Sequence, residues 1–157
     1  MSRPIGRIRS TSGDLFRRSS GRRLSGIGAA GVVIGALPAW WTLAAPGVPP
    51  TIGNAFDTPG AAGFFVALAT LFLLIAPDAF GEQLRFDWWP VHVGLVGVAA
   101  LGFAATLVGA AVTATGYDLP LSSVFGIDSA PGLWITLVAL AVWISGAAQI
   151  VDARDDR

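Results

Sequence analysis

Four apolar stretches, nearly free of ionisable side chains, dominate this sequence. They cover about residues 26–45, 60–77, 89–115 and 132–151, and His92 is the one ionisable group inside them. A bilayer core about 30 Å thick needs roughly 20 apolar helical residues, each rising about 1.5 Å. A soluble amphipathic helix carries a charged face, which none of the four stretches has. The pattern therefore predicts an all-α integral membrane protein with four transmembrane helices.

Composition supports a single membrane domain. Charged residues make up 13% of the 157 residues, whereas a soluble globular chain usually carries about 25%. The length suits one domain. The sequence has no cysteine, which excludes disulfides, thiolate metal sites and cysteine nucleophiles.

The arginines predict the orientation. All ten basic residues are arginines, and a four-span arrangement puts every one of them on the same side of the membrane. The loops at 46–59 and 116–131 contain none. Short loops without basic residues are the ones translocated to the outer side of the membrane. Both termini, which lie on the arginine-rich side, are therefore expected in the cytoplasm. The absence of lysine is typical of a GC-rich genome, which places the chain in the plasma membrane of a prokaryote.

The predicted organisation has three parts. Residues 1–23, with seven arginines, lack the apolar residues needed to offset the entropy of ordering and are expected to form a disordered cytoplasmic tail. Residues 24–151 form the four-helix transmembrane domain, and 152–157 form a cytoplasmic C-terminal tail. Each tail arginine near an anionic leaflet contributes about 1 kcal/mol, so the expected partners are the lipid bilayer and its anionic headgroups. Nucleic acid is not expected, because few aromatic residues accompany these arginines.

The first apolar stretch has a second interpretation. Arg22 and Arg23 precede an apolar run, as in a twin-arginine export signal, and 43–45 (Leu-Ala-Ala) would serve as its cleavage site. Cleavage would leave three spans. Pro46 directly after that site is unfavourable, and the pair Trp40–Trp41 suits an interfacial anchor. An uncleaved anchor is favoured, and the alternative stays open.

A short sequence pattern occurs twice. Pro-Gly followed by Val-Ala-Leu-Ala is found within 59–69 and again within 131–141. The recurrence predicts two tandem helical hairpins, 24–77 and 88–151. Both would point the same way across the membrane, whereas many transporters are built from inverted repeats.

The acids between the spans have two interpretations. Asp57, Asp118 and Asp128, together with Asn54, carry the oxygen ligands that calcium or magnesium prefers. The same acids are the only candidates for the active residues of a membrane enzyme. However, Asp57 and Asp128 each precede a proline by two or three residues, which is typical of a helix N-terminus. Helix capping is favoured over a metal site.

No catalytic, cofactor-binding or metal-binding residue is predicted. His92 lies about one turn inside the cytoplasmic interface with no second histidine or acid deeper in the membrane, so it is expected to be an interfacial polar residue. Small residues instead indicate packing faces, where helix backbones approach closely. These are Gly28, Gly31 and Gly35 in the first span and Gly102, Ala105 and Gly109 in the third.

The leading hypothesis is a non-enzymatic accessory or assembly subunit of a membrane complex, with a membrane protein partner or a second copy of the chain. The alternative is a small transporter or channel component that acts as an oligomer. Its pore would be lined by glycine carbonyls and the hydroxyls of Thr70, Thr106, Thr113, Thr136 and Ser145.

Overall fold

The computed structural model describes residues 20–47, 49–80 and 88–155. Its elements are α1 (Ser20–Gly35), β1 (Trp41–Leu43), β2 (Thr51–Gly53), a 3-10 helix (Ala55–Asp57), α2 (Ala61–Phe80), α3 (Trp89–Gly116), α4 (Leu121–Val124) and α5 (Pro131–Asp155). The predominance of helix confirms the all-α prediction. Most of the predicted N-terminal tail and of the loop after α2 lies outside the described residues.

The first helix differs most from its predicted span, 26–45. It begins at Ser20, so 20–23 are helical rather than part of a tail, and it ends at Gly35. Pro38 follows closely and has no N–H to continue the helix ladder. The remaining ten residues of the predicted span lead instead into β1, which pairs antiparallel with β2.

The other long helices begin within one residue of the predicted spans. Helix α2 has 20 residues and contains Pro77 near its C-terminal end, while α3 has 28 residues and α5 has 25. Proline stands at the first position of α5, where its missing N–H removes no helical hydrogen bond. Helices α3 and α5 are long and apolar enough to cross a membrane.

Helix α1 packs antiparallel and very closely against α5. Three glycines of α1 face α5: Gly28 lies against Trp143, Gly31 against Ala139 and Gly35 against Thr136. The predicted packing face of the first helix is thereby confirmed as an internal contact of the bundle. At the opposite end of the pair, the hydroxyl of Ser20 donates a 2.6 Å hydrogen bond to the side-chain carbonyl of Gln149.

Helices α2 and α3 form the second antiparallel pair. Gly63 of α2 lies beside Ala99 of α3, and Gly102 of α3 lies against the carbonyl of Pro59. This contact places the beginning of α2 halfway along α3. The half of α3 that follows Gly102 therefore has no part of α2 beside it.

Many large apolar side chains of the long helices lie on the outside of the bundle. Its interior combines a few large side chains, such as Trp40, Phe103 and Trp143, with many small and hydroxyl ones, including Ser25, Ala29, Ala67, Thr70, Ala99, Thr106, Thr136 and Ala139. Large apolar side chains point outward on every long helix, including Ile27, Ile34, Phe65, Phe72, Ile75, Leu101, Val108, Val112, Val138 and Ile144. Within their most apolar windows, 28% of α3 and 33% of α5 is buried, unlike the core helix of a soluble protein.

Residues 36–47, 49–60 and 117–130 form what we call the end layer, which lies beyond the ends of α1, α2 and α5. Backbone hydrogen bonds connect its segments: Trp40 donates to Gly53 over 2.8 Å, and Gly132 at the start of α5 donates to Ala39 over 2.8 Å. The hydroxyl of Thr42 donates to the carbonyl of Ser129 over 2.7 Å. These bonds pair backbone groups of the connecting segments, which have no helical partners.

Candidate functional site

A groove lies between the end layer and the second half of α3. Its volume is about 180 Å³. Its wall on one side is α3, and on the other side it is β1 and the two residues 58–59. The lining residues are Trp41, Leu43, Thr58, Pro59, Ala105, Thr106, Gly109, Ala110 and Thr113.

Two threonine hydroxyls form the floor of the groove. The hydroxyl of Thr106 lies 2.9 Å from that of Thr58 and 2.9 Å from the carbonyl of Gly102. Thr58 donates its own hydroxyl to the carbonyl of Ala55 over 3.0 Å. The N–H of Gly60 donates to the oxygens of Thr106 and Thr58, over 3.0 and 3.2 Å. This network fixes the chain just before α2 to the middle of α3.

The remaining hydroxyl of the lining is also engaged. Thr113 donates to the carbonyl of Gly109 on its own helix over 2.9 Å. None of the described lining residues carries a titratable side chain. The groove therefore presents apolar surface and hydroxyls whose protons already have acceptors, which suits an apolar ligand better than a charged or strongly polar one.

Trp40 and Trp41 support the groove from the end layer. Trp40 is 1% exposed, its ring contacts that of Phe103 edge-to-face at 5.4 Å, and Gly60 lies against it. The expectation that Trp40 is an interfacial anchor is wrong, because the early end of α1 places its ring in the bundle interior. Trp41 is partly exposed and lies over Gly53.

The interior of the bundle also holds His92 and Trp143. His92 is 1% exposed, so its side chain lies among the helices. Trp143 is fully buried where α5 contacts Gly28. Position along a helix gives the depth of a residue, but the packing of the neighbouring helices decides whether it faces them or the surroundings.

Asp57 of the end layer has a local role. The carboxylate of Asp57 accepts the N–H of Asn54 over 2.9 Å, while Asn54 accepts the N–H of Phe56, which closes a capping box on the 3-10 helix. Asp57 thus caps that turn and not α2 as predicted. Asp128 is exposed. The described residues contain no group of three or more His, Cys, Asp or Glu side chains able to hold a metal ion.

The residues predicted to line a pore fall into two groups. Thr70, Thr106 and Thr136 are buried. Thr113 and Ser145 are exposed, and each donates to a carbonyl of its own helix. The five hydroxyls therefore do not surround one common space within a single bundle.

The small residues predicted to form a packing face of α3 also fall into two groups. Gly102 packs against α2, whereas Ala105 and Gly109 line the groove, and nothing lies within 4 Å of a Cβ built on Gly109. Sequence reasoning missed the groove as a site because its lining comes from three separate parts of the chain. The available signal was the spacing of Thr106, Gly109 and Thr113, which places them on one face of a helix.

Comparison with known proteins assigns no family. No protein-family model matches the chain, no curated protein matches it, and no solved structure matches it. The functional argument therefore depends on the chemistry and packing of these residues.

Proposed function

We propose that the chain crosses the plasma membrane of a prokaryote four times and serves as a non-enzymatic accessory or assembly subunit of a larger membrane complex. The outward-facing apolar side chains on α1, α2, α3 and α5 carry this proposal. Lipid tails are as apolar as leucine, so a bundle in lipid gains little by burying large apolar residues and joins its helices through small ones. The glycine contacts between α1 and α5 follow that rule.

The pairing of the helices supports a cytoplasmic location for both termini. Helices α1 and α5 run antiparallel, and the hydrogen bond between Ser20 and Gln149 joins the N-terminal end of one to the C-terminal end of the other. Arg22 and Arg23 stand at that same end. Basic residues remain on the cytoplasmic side, so this end faces the cytoplasm and the end layer faces outward. The arginine-rich segment before α1 then contacts anionic headgroups.

The chemistry of the described side chains supports an accessory role over catalysis. The hydroxyls of the groove have acceptors within the protein, and Asp57 is engaged in a local cap. Catalysis requires groups placed to exchange protons, ligands or electrons with a substrate. An accessory subunit requires a rigid shape, which the close helix contacts and the paired backbone of the end layer supply.

Reporter fusions test the topology. A reporter at Gly53 is expected to be active only outside the cytoplasm, and reporters at Gly81 and Arg157 only inside it. Removal of the first helix by export processing would instead leave a shortened protein with three spans, which mass spectrometry of the purified chain detects.

Co-purification tests the accessory role. The tagged full-length chain, extracted in mild detergent after crosslinking in native membranes, is expected to elute with a larger complex of defined composition. A chain that stays monomeric and free of partners under these conditions would contradict the proposal. Ion or solute flux in liposomes containing the chain alone would favour the transporter alternative.

A further inference from the structure

We draw no further inference here: the strongest candidate, the open apolar groove between the end layer and the second half of α3, carries none, because nothing in the structure shows what covers it.

Discussion

The indole N–H of Trp40 donates a 2.8 Å hydrogen bond to the carbonyl of Gly35, the last residue of α1. The bond spans five residues and satisfies a carbonyl that the end of a helix leaves without a partner. Both groups lie in the buried interior, where an unpaired carbonyl is costly. The side chain of Trp40 thus makes possible the early end of α1 and the turn into the end layer.

Replacing this tryptophan tests the importance of the bond. Trp40→Phe is expected to lower the free energy of unfolding by about 1–3 kcal/mol beyond the loss of ring volume, because the Gly35 carbonyl loses its donor. Trp143→Phe is the matched control, since Trp143 is also fully buried while its N–H has no acceptor among the described residues. Unfolding titrations in detergent micelles measure the difference. Equal destabilisation by the two changes would contradict the role assigned to the Trp40 bond.

A second comparison concerns two buried threonines. Thr106→Val removes the hydroxyl that joins Thr58 and the Gly60 N–H to α3, and it is expected to cost about 1–2 kcal/mol. Thr136 is equally buried, but its hydroxyl has no hydrogen-bond partner in the described part of the chain. Thr136→Val should therefore be neutral or stabilising. Thermal unfolding in the same detergent compares the stabilities of the two variants. A Thr136→Val protein less stable than the Thr106→Val protein would show that the network does not anchor α2.

Because Gly28 lies directly against Trp143, we expect that position 28 does not tolerate even the methyl group of alanine. A Cβ on Gly28 would lie 2.5 Å from the backbone nitrogen of Trp143, which a side-chain rotation does not relieve. Gly28→Ala should separate α1 from α5 at a cost of about 1–3 kcal/mol. Gly97→Ala is the control, because nothing lies within 4 Å of that position, and it should stabilise α3 by up to about 1 kcal/mol. Steric-trapping measurements in bicelles give both values, and similar effects of the two changes would argue against the close packing.

The C-terminal end of α3 contains a strained residue. Asp118 has a φ of 53°, while the N–H groups of Asp118 and Leu119 bond the carbonyls of Thr115 and Ala114, the pattern of a Schellman motif. Glycine is the usual residue at this position, so Asp118→Gly should stabilise the protein by about 1 kcal/mol. An increase in melting temperature checks this. Asp128→Gly, at an exposed acid whose φ is not positive, should give no increase.

Much of the secondary structure was predictable from local sequence. The apolar stretches and their bounding prolines placed the starts of α2, α3 and α5 to within one residue, since a proline at or near the first helical turn removes no helical hydrogen bond. The glycine spacing of α1 predicted a packing face, because residues three and four apart share one side of a helix. The functional assignment stays a prediction.

The end of α1 and the groove were decided by tertiary contacts. A run of apolar residues through Ala45 is compatible with a continuous helix, and only the bonds that Trp40 makes to Gly35 and Gly53 show where it stops. The groove exists because α2 begins halfway along α3. That position is set by contacts between Gly60 and Thr106, which are more than 40 residues apart in the sequence. By itself the sequence determined which segments are apolar and helical, because hydropathy and helix geometry are local properties. The tertiary structure decided which side of each helix is buried and which half of α3 is left uncovered by α2, because those depend on how far each neighbouring helix extends.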